Sequence, residues 1–181
     1  MVNRGLFLDR DGVINVDYGY IHLPEQVSFV DGIFELCRYA HGLGYLILVV
    51  TNQSGIGRGY FSESDFQRLM TWMKNEFVQQ GCLITEVYFC PYHPTEGIGD
   101  YRRHSSWREP SPGMIFQGAQ DFNLHLPSCV LVGDSPRDIA AGQAAGVRCN
   151  LLYTQHSSGV VSTANVSCLS QVKSYLQIYN G

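Results

Sequence analysis

The chain of 181 residues is short of lysine, of basic runs and of long apolar stretches. Lys74 and Lys173 are its two lysines, and its formal net charge is -4. That balance argues against a nucleic-acid-binding surface, so a small anionic substrate would have to find its positive charge locally. No stretch approaches the length that crosses a bilayer, and the N-terminus lacks the basic, apolar and small-residue order of a signal peptide. A cytosolic protein with no membrane partner is expected. The six cysteines, Cys37, Cys82, Cys90, Cys129, Cys149 and Cys168, form no C-x-x-C pair, and free buried thiols are expected instead of a disulfide framework. No internal repeat or low-complexity tract divides the chain, which reads as one domain over residues 1–181 with room for a sizeable core. Composition leaves the oligomeric state open, a monomer included.

What is present is an alternation of strand-like and helix-like segments. Leu6 to Asp9 reads as a first strand, and Asp31 to Leu43 as a helix with Ile33, Leu36, Cys37, Ala40 and Leu43 on one face. Tyr45 to Thr51 is a near-continuous apolar, β-branched run, the mark of a central parallel strand covered on both sides. Ser62 is placed to cap a long helix whose Phe66, Leu69, Met70, Met73 and Phe77 share a face. The two methionines therefore belong to the core. Further strands are expected at Ile84 to Phe89, Cys129 to Gly133 and Val147 to Tyr153, and helices at Pro112 to Phe122, Ser135 to Ala145 and, after a Ser-rich linker, Cys168 to Tyr179. This order implies an α/β fold with a doubly wound, mostly parallel sheet and helices on both faces. The one long irregular connection, Pro91 to Pro110, is of a length that is often functional.

Ligands of such sheets bind at the carboxyl ends of the strands, where Asp9, Thr51 and Asp134 all fall. Asp9 and Asp11 are spaced i, i+2 behind the apolar run Gly5-Leu6-Phe7-Leu8, an arrangement that is costly unless a cation or a reaction uses it. An Asp-Gly turn would account for Asp11-Gly12 alone, but not for three strand ends together. The oxygen-rich cluster suits Mg2+, which takes a few protein ligands and leaves room for water and phosphate. Asp9 would attack phosphorus, Asp11 would protonate the departing oxygen, and Thr51 with the backbone after it would hold the phosphoryl oxygens.

The blocks Asp9-Arg10-Asp11-Gly12-Val13-Ile14-Asn15, Thr51-Asn52-Gln53-Ser54-Gly55 and Gly133-Asp134-Ser135-Pro136-Arg137-Asp138 resemble the signature of the haloacid dehalogenase (HAD) superfamily of phosphatases. Within it, Asn15 to Tyr20, Asn52 to Gly59 and Cys90 to Pro94 resemble the bacterial D-glycero-D-manno-heptose 1,7-bisphosphate 7-phosphatases, on the route to nucleotide-activated heptose for lipopolysaccharide, capsule or glycoprotein. The resemblance implies a HAD-like fold without a large cap domain, Mg2+ as cofactor and a small sugar bisphosphate as partner. It implies Asp9 as nucleophile, Asp11 as general acid and base, and Thr51 steadying the phosphoryl group. Asp9, the main-chain carbonyl of Asp11 and Asp134 would bind the metal, while Asp17, Tyr18, Gly19, Tyr20, Asn52, Gln53, Ser54 and Arg108 would bind substrate. Asp138 would anchor the metal shell, by spacing alone.

Two departures stand out. The subgroup's Arg-Lys-Pro-x-Pro-Gly-Met block reads Arg108-Glu109-Pro110-Ser111-Pro112-Gly113-Met114, a carboxylate where a lysine would face the phosphoryl group. At a few ångströms the sign change is worth several kcal/mol even at an effective dielectric of about 20. Arg58, Arg103 and Arg108 are the candidates to restore the charge. The four-ligand zinc site of many relatives keeps only Cys90, with Tyr92, Ser105 and Trp107 at the other positions, so structural zinc is not expected and packing of Tyr92, Tyr101 and Trp107 would hold the loop. Two alternatives stay open: a phosphatase for histidinol phosphate or another small sugar phosphate, and an impaired homologue that binds a sugar phosphate without turnover.

Overall fold

In a computed structural model describing residues 3–155, 159 and 161–179, six strands form one parallel sheet in the order β3-β2-β1-β4-β5-β6. They are β1 (Arg4–Leu8), β2 (Tyr45–Asn52), β3 (Glu86–Cys90), β4 (Val130–Gly133), β5 (Cys149–Tyr153) and β6 (Ala164–Val166). The register sets Leu6 beside Ile47 and Val130, and Leu8 beside Val49 and Val132. Strand order reverses direction at β1, so β1 and β4 part on either side of a crevice at their carboxyl ends.

The strands are apolar throughout because both faces are covered. Alternate residues point to opposite sides: Leu6, Leu8, Ile47, Val49, Val130 and Val132 enter one core, and Phe7, Leu48, Val50 and Leu131 the other. The first core is closed by α1 (Ile33–Gly42), α3 (Glu63–Gln79) and α6 (Val172–Ile178). The second is closed by α4 (Gly113–Phe122) and α5 (Pro136–Ala145). Ser62 caps α3, its hydroxyl accepting from the Asp65 N–H at 3.1 Å while the Asp65 carboxylate accepts from the Ser62 N–H at 2.8 Å. Met70 and Met73 are buried.

Several boundaries differ from the sequence reading. β1 starts at Arg4 and ends at Leu8, so Asp9 stands just past the strand, its N–H still tied to the Val132 carbonyl at 3.1 Å. The next difference is a one-turn helix, α2 (Ser54–Gly57), in a segment where the residue pattern gives no helix. β6 lies inside the expected Ser-rich linker, whose residues 156–158 and 160 fall outside the described ones. Three residues are too few to show a strand pattern; pairing with Leu151 to Tyr153 makes them one. The terminal helix opens as a 3-10 turn, Leu169–Gln171. All six cysteines are free and five are buried, Cys168 being the exposed one. No described helix is long and apolar enough to cross a membrane.

Candidate active site

The carboxyl ends of β1, β2 and β4 meet the loop at residue 109 around an open cleft of about 430 Å³. Asp9, Asp11, Asp17, Gly19, Tyr20, Thr51, Asn52, Gln53, Ser54 and Asp134 line it, as do Glu109, Arg137 and Asp138. Tyr18, 68% exposed, and Arg108 lie outside the lining. Arg108 is turned away: its Nη1 donates to the Tyr92 carbonyl at 3.0 Å.

Asp9, Asp134 and Asp138 each bring a carboxylate oxygen within 4.8 Å of the others. Opposite oxygens around an octahedral Mg2+ stand about 4.2 Å apart, so these hard donors fit that ion with small shifts. The backbone is cut to allow the approach. Gly12 has φ 89°, and a Cβ there would stand 1.9 Å from Asp134 Oδ2; a Cβ on Gly133 would stand 2.3 Å from that of Asp138. Asp138 also accepts from the Ser135 N–H at 2.9 Å at the start of α5. Asp138 is thus drawn deeper into the cluster than an outer anchor.

Without a cation the cluster resists ionisation. Burial holds Asp9 well above the usual carboxylate range, reinforced by the charges of Asp138, Glu109, Asp134 and Asp11. Asp134, although exposed as a residue, is raised to about 7 by loss of solvent at its carboxylate and by Asp138, Asp17 and Asp11. Glu109 is 3% exposed and is pushed up by burial, by the Asp138 charge and by a side-chain hydrogen bond to Asp138.

Asp11 is held on every side. Arg10, fully buried, reaches it through Nε at 3.1 Å and Nη2 at 2.7 Å, and also donates to the Ile21 carbonyl. Asn15 Nδ2 and Gln53 Nε2 each donate to it at 3.0 Å. Gln53 reaches Thr51 Oγ1 as well, at 3.1 Å. It is therefore a strut between Asp11 and Thr51, though sequence reading made it a sugar contact. Asn52 likewise faces the backbone of Glu109, donating to its carbonyl at 3.3 Å and accepting from its N–H at 3.2 Å. Residue 109 is fixed to the end of β2 by that pair.

At the mouth, Asp17 Oδ1 accepts from the Gly19 N–H at 2.8 Å, turning the chain so that Tyr20, at φ 51°, lies edge-on to Tyr60 with ring centres 4.6 Å apart. The long loop packs Tyr92 against Tyr101 at 5.9 Å and Trp107 against Tyr88 at 6.0 Å, and Arg103 stacks on Tyr92 at 3.9 Å. Burial pushes the Cys90 thiol up, and the nearby Tyr92 N–H and Ser105 hydroxyl offset part of that rise. Neither lysine reaches the cleft: Lys74 pairs with Glu86 and Lys173 with Glu35.

A D-glycero-alpha-D-manno-heptose-1,7-bisphosphate 7-phosphatase of Burkholderia mallei is 55% identical over 164 residues, covering 91% of this chain and 87% of the relative. The chain belongs to the heptose-1,7-bisphosphate 7-phosphatase family. A family member from Vibrio cholerae, named for the beta anomer, is 45% identical over 84% of this chain and 82% of its own length. The HAD-hydrolase-like family model matches residues 106–164. The structure of D,D-heptose 1,7-bisphosphate phosphatase from B. bronchiseptica, complexed with magnesium and phosphate, superposes with a TM-score of 0.82 at 25% identity, covering 97% of this chain and 98% of that one. The HAD-like fold of the family is the doubly wound sheet described above.

Sequence reasoning missed Arg137 as a wall of the cleft. Its signal was available, since it stands between Asp134 and Asp138 at the start of a helix.

Proposed function

We propose that this protein removes the 7-phosphate of a D-glycero-D-manno-heptose 1,7-bisphosphate, with Mg2+, in nucleotide-activated heptose biosynthesis. The identity of 55% over most of both chains carries the reading, and the cleft agrees with it chemically. Residues 1–181 would act as one cytosolic domain, consistent with five buried free thiols. Asp9, Asp134, Asp138 and the Asp11 carbonyl would hold Mg2+, whose charge offsets the repulsion between the carboxylates and an incoming phosphate.

In the first step a carboxylate oxygen of Asp9 attacks phosphorus, the bond to the 7-oxygen breaks, and Asp11 gives that oxygen its proton. In the second, Asp11 takes a proton from water, which attacks the aspartyl phosphate and frees Asp9. Gln53 keeps the two working groups in register by bonding Asp11 and Thr51 together. Asp17, Gly19, Tyr20, Asn52 and Ser54 form the wall available to the sugar. Tyr18 and Arg108 are left out of that set because neither lines the cleft. The long loop is proposed to do without zinc, the aromatic pairs and the Arg103–Tyr92 stack holding it; stoichiometric zinc in metal analysis would overturn this.

Phosphate release is to be measured with Mg2+ on the α and β heptose bisphosphates, histidinol phosphate and simple sugar monophosphates, with Asp9→Asn as the control. The expected result is a kcat/KM for one heptose bisphosphate at least a hundredfold above the other substrate classes. Equal turnover of histidinol phosphate, or no turnover of any ester, would sink the assignment.

A further inference from the structure

The cleft is poor in positive charge. Its walls carry the carboxylates of Asp9, Asp11, Asp17, Glu109, Asp134 and Asp138, against one basic side chain, Arg137. The other basic groups near the site motifs are engaged elsewhere. Arg10 lies behind Asp11 and bonds it, Arg58 pairs with Glu96, and Arg108 is bonded to the Tyr92 carbonyl. A phosphate ester entering this cleft meets a single protein cation.

Carboxylates flank Arg137 on both sides in the chain. It is the second residue of α5, between Asp134 and Asp138, both of which share the oxygen cluster with Asp9. Glu109, 97% removed from solvent by its 3% exposure, lies against Asp138 with Oε1 unpartnered, and the Arg137 charge acts on both acids. Arg137 thus borders the cleft within electrostatic reach of two buried acids. Its planar fork can bond two phosphate oxygens at once.

We propose that Arg137, the one basic side chain lining the cleft, is the cation that binds the transferring phosphoryl group. This rests on the reading of the cleft as a phosphoryl-transfer site. It also accounts for how residue 109 can be a glutamate. The positive charge that the subgroup's lysine would bring at residue 109 is supplied from residue 137 instead.

The test is binding of inorganic phosphate and of orthovanadate to the Mg2+-loaded protein by calorimetry, with Mg2+ affinity measured separately. Arg137→Ala is expected to weaken phosphate binding at least fivefold while Mg2+ affinity stays within threefold, and Arg137→Lys to recover part of the loss. Glu109→Lys made in the Arg137→Ala background is expected to restore phosphate binding by returning a cation to the cleft. A loss below fivefold in a folded Arg137→Ala protein, failure of Arg137→Lys to recover any of it, or no measurable phosphate binding by the wild type at millimolar concentration would overturn the proposal. The two readings fail separately. Phosphate binding that depends on Arg137 in a protein that does not hydrolyse heptose bisphosphate would leave Arg137 in place and remove the substrate; hydrolysis with kcat, KM and phosphate affinity unmoved by Arg137→Ala would do the reverse.

Discussion

At the scale of single residues, the site is a contest between carboxylates that want water and a backbone that denies it to them. Asp9 lies under the charges of Asp138, Glu109, Asp134 and Asp11, which makes it a poor anion alone and a strong partner for a cation. Asp9→Asn should therefore lower turnover by on the order of 10⁴ or more, since it removes the nucleophile. The same variant should melt higher than wild type in EDTA at pH 8, because one repelling charge is gone; a lower melting temperature there would contradict the crowding described here. Gln53 makes a different prediction. Loss of its bonds to Asp11 and Thr51 in Gln53→Leu leaves both groups present but unregistered, and a misplacement of that kind costs about a hundredfold in kcat. KM should change little, and steady-state kinetics showing the loss mainly in KM would return Gln53 to the role of a sugar contact.

At the scale of elements, helices and strands serve to bring chain-distant segments to one edge. α3 lines no part of the cleft, yet it closes the core under β1 and β2 through Phe66, Met70, Met73 and Phe77. Its start depends on the reciprocal bonds between Ser62 and Asp65. Ser62→Ala should cost about 1 kcal/mol, which lowers the melting temperature of a domain of this size by about 2–4 °C. Phosphatase activity should stay intact, and thermal unfolding with an activity assay checks both. Helix spacing made this element legible from its residues alone, as it did α1. The three-residue β6 and the single turn of α2 carried no such periodicity. They exist because neighbours supply their hydrogen bonds: β5 to the one, the chain folded over the end of β2 to the other.

For the whole molecule, the grouped acids couple stability to pH and to metal. Asp134 has a folded pKa of about 7 against an ordinary value of 3.8, and Asp9, Glu109 and Asp138 are raised as well. A carboxyl raised on folding contributes stability that is complete below its unfolded pKa and is lost as pH climbs through the folded one. His93, lowered by burial and by Arg108, works the other way, as one group against four. Glu35 and Asp65 are lowered, and their effect falls below pH 5, outside the range in question. In EDTA the melting temperature should fall from pH 5 to pH 8, and Mg2+ should raise it more at pH 8 than at pH 5. A melting temperature that is flat or rising across that range in EDTA would show that the acids are not opposed in the metal-free protein.

What the amino-acid sequence determined by itself is the part of the protein written in local pattern. Apolar runs, helical spacing and the cap at Ser62 dictate strands and helices, and their alternation dictates a parallel sheet that gathers Asp9, Thr51 and Asp134 at one edge. Residue type at those positions was enough to name the chemistry. Only the tertiary structure decided which neighbours share the cleft. That Asn52 holds the backbone of Glu109, that Gln53 bridges Asp11 and Thr51, that Arg108 turns away while Arg137 faces in, all depend on contacts between segments far apart in the chain. The physical reason is that hydrogen bonds and Coulomb forces act over ångströms in space, and a sequence records distance only along the backbone.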